Sequence, residues 1–474
     1  MALREYSLYK KRSLDKNEKE LLIKLAGEFY NTAKKKLVRK KRSFRTFGVE
    51  IEHSLLKRDG NLPSFGTAQK IIKKLNSPFF KAEVGSFQIE QITKPHRLKS
   101  GSFEQIVKEV MRGKKAIADL ATEHKARVFS VGITPKFSFN RKSAKDFFSK
   151  ERQFKLEFRA KPKFRGKPFL IKALGKKILK LHTSFEGWAI INAIHIHLQG
   201  YDLKDTIKIY NYNQMIMPFL IAISANGGLI KGKQLTKKEY RLNIINWSSD
   251  LKYKFDAGFI PEYISSPDDF FNILLKAKPR VWLTYGKKPT KRGAFESLRE
   301  EIFTYNLLRF DEINSTVIRA EFRPLSVQPT TTENISILMF YCLLIDYLIV
   351  KKIKLIDIKT VNKDLSTAIN NGINSTISFP INGKIKKLKS HEFLRILLPK
   401  LLKHGKGENL ISDKEAVLLK PLASRAKSKS TPVDRFIDHI KETNFEKALE
   451  LMIRLSHYDL YIPYEVEKSL FKKL

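Results

Sequence analysis

The chain has 474 residues, is 42% hydrophobic and carries 33 phenylalanines, enough apolar material for a substantial core and more than a single core needs. Its lone cysteine, Cys342, excludes an intrachain disulfide framework and a thiolate metal cluster. The 91 Lys and Arg against 48 Asp and Glu leave a net charge of +43, beyond what solubility requires, and point to an anionic substrate, an acidic partner or a polyanion.

The N-terminal stretch lacks the apolar run of a signal peptide, which sets a cytoplasmic protein as the expectation. Asp15 to Leu37 reads as a helix with Leu21, Leu22, Leu25, Phe29 and Ala33 as its apolar stripe and a Lys-rich opposite face. Residues 1–46 hold 15 basic and 5 acidic residues, and residues 136–180 hold 16 and 3; the two stretches together supply +23.

The stretch FGVEIEHSLL, residues 47–56, alternates as a strand, so Glu50 and Glu52 share one face and Val49 and Ile51 the other. Two adjacent carboxylates repel each other unless they share a cation or face water, and Mg²⁺ is the hard ion that suits them. An ordinary half-buried strand with a wet acidic face produces the same pattern. Asp59, Gly60 and Asn61 signal a turn, and TAQKIIKKL a helix. In AEVGSFQIEQIT, residues 82–93, Gln88 and Glu90 share a strand face, offering a third carboxylate if the two strands lie in one sheet. Ser102 to His124 reads as a helix and ARVFSVGITP as a buried strand.

Residues 136–180 interleave Lys and Arg with Phe. That composition serves a single-strand nucleic-acid platform or, as the simpler reading, amphipathic hairpin strands with a buried Phe face. In NAIHIHLQG, His195 and His197 fall two apart and face the same side, where imidazoles can ligate metal or meet phosphate. In STVIRAEFRPLS, residues 315–326, Arg319, Glu321 and Arg323 share a face, adding a carboxylate and two guanidinium groups able to grip phosphate. The apolar window ISILMFYCLLIDYLIV is interrupted by Asp346 and is short for a membrane span, so a buried helix with a buried Cys342 is expected and no transmembrane span. Beyond it, HEFLRILLPKLLKHG reads as an amphipathic helix, EAVLLKPLASRAKSKSTP as a stretch containing a linker, and Val433 to Leu474 as helical.

The order GVEIE, FQIEQIT, NAIHIHL and VIRAEFR, with PFLIAISANGGLIKG and YRLNIINW between the last two, resembles the glutamate-cysteine ligase family, especially its bacterial carboxylate-amine ligase branch with a glutamine-synthetase-like catalytic fold. The resemblance implies an α+β fold: a curved, mainly antiparallel sheet forming a funnel, with helices on its outside. It divides the chain into a basic amphipathic segment at 1–43, a ligase domain at 44–375 with the basic aromatic insertion at 136–180, and a mainly helical extension at 376–474 that could serve a protein partner. By the same resemblance Glu50, Glu52, Glu90, His197 and Glu321 are metal ligands, and His195, His197, Arg319 and Arg323 lie on the nucleotide side. Gln88 and Arg241 are expected near the substrate, and Arg323, Glu321 and Glu52 at the chemistry.

The implied cofactors are ATP and Mg²⁺, with Mn²⁺ as an alternative, and the implied substrates are L-glutamate and an amine, L-cysteine by default. NAIHIH lacks the glycine or cysteine that often precedes the histidines, and TAINNGIN has no arginine where related ligases carry one, so a different amine stays open. A ligase-like scaffold that binds nucleic acid or a protein partner is the other reading.

Overall fold

A computed structural model describes residues 7–10, 14–38, 42–136, 169–173, 176–181, 184–248, 262–276, 282–284, 289–301, 304–313 and 315–463. Its centre is an eight-stranded sheet of β1 (Thr46–Leu56), β2 (Phe80–Ala82), β3 (Gln88–Ile92), β4 (His96–Arg97), β5 (Arg127–Phe129), β6 (Ala193–Gln199), β7 (Asn306–Ile313) and β8 (Ser315–Ser326). The order is β7-β8-β6-β1-β3-β2, and β4 and β5 also pair with β1. Every pairing is antiparallel. One edge of β1 runs along β6 and then β5, the other along β4 and then β3, so the acidic strand is the best-covered in the sheet.

The period-two pattern decides which face is which. Phe47, Val49, Ile51, Ile194, Ile196, Leu198, Ala320 and Phe322 enter one apolar core with the helices Ser102–Glu123, Leu203–Ser224 and Thr331–Val350. Sliding β1 by one residue would drive Glu50 and Glu52 into that core, so the register is strongly fixed. The helix Thr331–Val350 is the one described helix long and apolar enough to cross a membrane, and 83% of its most apolar 18-residue window is buried inside the protein. Asp346, which interrupts it, accepts from Arg45 and lies 2.7 Å from His404 Nε2. Burial raises the Cys342 thiol pKa well above its ordinary value, so the thiol stays protonated.

The N-terminal helix Lys16–Val38 forms a second core: its Leu22, Ala26, Phe29, Tyr30 and Ala33 are buried with Phe295, Leu298, Leu308, Phe310 and Ile318. At 169–181, strands Phe169–Ala173 and Lys176–Leu181 make the expected hairpin, with Ile171, Ala173, Leu179 and Leu181 buried. The Phe-rich part at 137–168 lies outside the described residues.

The C-terminal region is mainly helical, as expected, and part of the body; it opens with the hairpin Thr376–Ile381 and Lys384–Lys389, its last described helix is Phe445–His457, and residues 464–474 lie outside the described residues. Phe393, Leu394, Leu397 and Leu401 join the main core, and Val433, Phe436, Leu449 and Met452 pack with Leu56, Phe129 and Val131. The linker expected within 415–432 is confined to residues 429–431, between the helices Lys420–Ser428 and Pro432–Glu442, and in the first of these Arg425 is buried and donates to Glu333 Oε1 (3.0 Å) and the Ile223 carbonyl (2.9 Å). Glu415, fully buried, accepts the N–H groups of Gly101, Phe103 and Glu104 at 2.9, 2.7 and 3.1 Å. It thus supplies the cap that the start of helix Ser102–Glu123 lacks, since Gly101 has no side chain to do so.

Candidate active site

The face of the sheet turned away from the core gathers the charged residues. Register puts Glu50 opposite His195, Glu52 opposite Glu90, and Glu321 opposite His197. Direct opposition in an antiparallel ladder holds Cβ atoms about 4.5–5.5 Å apart, so these side chains meet.

At the β1–β3 end, ligand atoms of Glu52, Glu90 and His195 lie within 4.8 Å of one another, as do those of Glu50, His195 and Glu321. His195 Nδ1 is 3.1 Å from Glu50 Oε2 and its Nε2 is 3.7 Å from Glu52 Oε1. The Ala193 N–H donates to Glu52 Oε2 at 2.6 Å. Burial opposes the charge on Glu50, but His197 and His195 outweigh it and hold its carboxyl well below the usual range. Burial, reinforced by Arg323, lowers the pKa of His195 against the pull of Glu50, which favours a neutral imidazole able to act as a ligand.

At the β7–β8 end the carboxylate is held by guanidinium groups. Glu321, fully buried, accepts from Arg309 through both oxygens, at 3.1 Å for the Nη2 bond, and Arg323 Nε is 3.2 Å from its Oε1. Burial alone would raise the Glu321 pKa, but Arg309 and Arg323 drive it well below the ordinary value. Arg319 Nε–H donates to His197 Nδ1 at 3.0 Å, and His197 Nε2 lies 3.1 Å from Glu50 Oε1, so His197 bridges the two ends. The β8–β6 register shifts between Phe322 and Leu325, across Arg323 and Pro324. Proline cannot donate to the ladder, and such an irregularity re-aims the side chain beside it.

All four glutamates expected from the sequence therefore converge, with both histidines and both arginines of β8. Within the metal-capable groups the histidine is His195; His197 sits between Arg319 and Glu50. Gln88 and Arg241 occupy bracing positions. The Gln88 amide donates to the Ile191 carbonyl (2.8 Å) and Asn192 Oδ1 (3.0 Å) and accepts the Gly85 N–H (2.7 Å), tying β3 to the start of β6. Arg241 is buried beside Glu239, 3.5 Å away, and donates to Ser326 Oγ (3.3 Å) and the Pro324 carbonyl, holding the end of the strand that carries Arg323. Arg309 was not visible as a site residue in the sequence. The signal was the hairpin register, which pairs Arg309 with Arg319 across β7 and β8.

The profile described as "Glutamate-cysteine ligase family 2 (GCS2)" matches residues 46–373. Among solved structures the chain is similar to a glutamate–cysteine ligase from Francisella tularensis in complex with AMP, with TM-score 0.57 and 13% identity over 92% of this chain and 93% of that one. It is also similar to a bifunctional glutathione synthetase from Pasteurella multocida, with TM-score 0.50 and 12% identity over 91% of this chain, spanning 54% of that protein. No curated protein sequence matches the chain.

Proposed function

Because the chain belongs to glutamate-cysteine ligase family 2, ATP-dependent carboxylate–amine ligases of glutamine-synthetase-like fold, we propose that it activates the γ-carboxylate of L-glutamate as an acyl phosphate and joins it to an amine, L-cysteine by default. The observation that carries this reading is the two-ended charge on one sheet face: converging carboxylates at β1–β3 and arginines at β7–β8. The AMP bound to the Francisella ligase supports a nucleotide as the second substrate here.

The donor set fits Mg²⁺ or Mn²⁺: Glu50, Glu52, Glu90 and Glu321 supply hard oxygens and His195 a neutral nitrogen in place of the expected His197, and a cation would ease the repulsion between the opposed Glu52 and Glu90. When bound, the metal neutralises phosphate charge. The chain's own residues do the rest. Arg323, Arg319 and Arg309 face the oxygens of the transferred phosphoryl group, where planar forks match phosphate geometry. A γ-carboxylate oxygen attacks the γ-phosphorus and ADP leaves; the amine nitrogen then attacks the acyl carbon, and inorganic phosphate leaves as the amide forms. Glu321 fixes Arg309 and Arg323 in place, and His197 fixes Arg319. Gln88 and Arg241 support the chemistry by holding strands. ATP dependence agrees with the cytoplasmic location expected from the sequence.

The test is ADP formation that requires both glutamate and an amine, with products weighed by mass spectrometry across a broad amine panel. γ-Glutamylcysteine is the expected product, and another γ-glutamyl amide would replace only the acceptor. No ADP with any member of the panel would remove the ligase chemistry and leave the polyanion-binding reading suggested by the +43 charge.

A further inference from the structure

The hairpin of strands Thr376–Ile381 and Lys384–Lys389 begins just after the family match at 46–373. Asn382 and Gly383 join its strands with φ of 52° and 76°, the two positive values of a type I′ turn. The residues flanking such a turn, Ile381 and Lys384, exchange backbone hydrogen bonds, and the antiparallel ladder alternates from there. Phe379 therefore bonds with Lys386 and Ile377 with Leu388, while Ser378, Pro380, Ile385 and Lys387 turn their backbone groups outward. On the first strand that outer edge is closed: Pro380 has no N–H, and the Ser378 N–H donates to Asp364 Oδ2 at 2.6 Å. On the second strand it is open. Among the described residues Lys384–Lys389 pairs with its hairpin partner alone, and no backbone hydrogen bond reaches Ile385 or Lys387 from elsewhere.

The open edge is basic. Lys384, Lys386, Lys387 and Lys389 are exposed, and Ile385 among them is 62% exposed. Lys400 joins them at the turn, its Nζ 2.8 Å from Asn382 Oδ1. Among the described residues Lys384, Lys386 and Lys387 take part in no ion pair. Ile377, Phe379 and Ile381 are buried in the main core, so the hairpin is anchored and its edge is held extended. Lysines on an edge strand guard it against pairing with its own kind, since a second copy of this chain would set lysine against lysine. The same charges favour a strand of opposite sign. The edge strand carries no aromatic ring on which a nucleobase can stack, which disfavours single-stranded nucleic acid as the occupant.

We propose that the edge Lys384–Lys389 is a docking site for an acidic, extended segment of a partner protein, which adds to the hairpin as a third strand. Its backbone pairs with the N–H and C=O groups of Ile385 and Lys387, its carboxylates lie beside the lysines, and an apolar residue covers Ile385. Docking here is separate from the nucleotide and amine chemistry proposed above, so its failure leaves that reading untouched.

The test uses the full chain and a capped peptide, Glu-Val-Glu-Glu-Val-Glu, matched in length to the strand KIKKLK. Calorimetry reads affinity, and hydrogen exchange reads the Ile385 and Lys387 amides with and without peptide. K384Q/K386Q/K387Q removes charge, and I385P removes an outward N–H that the hairpin ladder does not use. The same peptide N-methylated along its backbone removes the pairing from the other side, and keeps the distinction if I385P melts too low to measure. The expected result is slower exchange at both amides and an affinity loss of about tenfold or more for the lysine variant, for I385P and for the methylated peptide. Duplex DNA and phosphatidylserine vesicles are measured beside the peptide on the parent and on I385P. No binding of the peptide, or binding of the methylated peptide or by a folded I385P at parental strength, would overturn the proposal. So would tighter binding of DNA or vesicles than of peptide with no dependence on I385P, which would make the edge a general polyanion or membrane surface.

Discussion

The two ends of the same sheet face hold their carboxylates by opposite means. At β7–β8 the chain supplies the counter-charge itself, with Arg309 and Arg323 on a fully buried Glu321. At β1–β3, Glu52 and Glu90 oppose each other across the ladder and are met by a backbone N–H and an imidazole. In the first arrangement the counter-charge is the chain's own, and on the proposed function a cation joins the second. On the proposed function, one end presents fixed positive charge and the other acquires it, a division of labour suited to moving a phosphoryl group between two anions.

The largest expected effect separates these ends by the sign of a stability change. Replacing Glu321 by Gln leaves two arginines facing a neutral partner in a buried site and should cost about 3–5 kcal/mol in urea unfolding. Glu52→Gln should leave metal-free stability unchanged or raise it by about 0.5–1 kcal/mol, since it removes one of two opposed anions. Both should lower ATP-dependent product formation by about 10²–10³-fold, or about 3–4 kcal/mol in the barrier. Equal destabilisation by both would erase the distinction.

Arg323→Lys keeps the charge at the β7–β8 end and loses the fork. Product formation at saturating ATP should fall by about tenfold or more, with a melting temperature close to the parent. A lysine variant of near-parental rate would show that this end offers only a point charge.

What the sequence revealed and what it hid divide along the same lines. Glu50, Glu52, Glu90, His195, His197, Arg319, Glu321 and Arg323 were legible because a strand's period of two assigns each to a face from its immediate neighbours. Arg309 was not, because its role depends on the hairpin register between β7 and β8. The bracing of Gln88 and Arg241 was equally hidden: each is satisfied by partners remote in sequence, and a polar residue near a site reads the same whether it touches substrate or holds a strand. How far the helix before the 429–431 linker extends was hidden for the same reason, since Arg425 is ordered by Glu333, 92 positions away.

Glu415 offers a control, since it is joined to helix Ser102–Glu123 on the apolar side of the sheet. Glu415→Ala removes the acceptor for three backbone N–H groups at the start of helix Ser102–Glu123 and should cost about 2–3 kcal/mol in urea unfolding, while kcat of the folded enzyme stays near the parent value. A drop in kcat without loss of stability would tie this region to the chemistry.

A smaller, pH-dependent effect belongs to His457. It is buried between Thr122 and β5, its Nδ1 accepts the Val128 N–H at 3.2 Å, and burial, then Arg127 and Lys114, push its pKa down to about 4. An unfolded histidine titrates near 6.5, so between that value and about 4 the unfolded chain binds the proton that the folded one refuses. Its contribution is therefore intact at pH 7 and falls away as the pH drops, by about 1–2 kcal/mol at pH 5. Urea unfolding at the two pH values should show that loss in the parent and a smaller one in His457→Gln; identical pH dependence in both would assign the acid sensitivity elsewhere.

The most direct measurement is anomalous diffraction from crystals grown with Mn²⁺, a non-hydrolysable ATP analogue and glutamate. Manganese is expected at the carboxylates of Glu52 and Glu90 and beside Glu50, with the terminal phosphate against Arg323 and the glutamate γ-carboxylate between the two ends. Manganese away from these carboxylates, or phosphates bound without contact to the β7–β8 arginines, would contradict the division of the face into a cation end and a phosphate end.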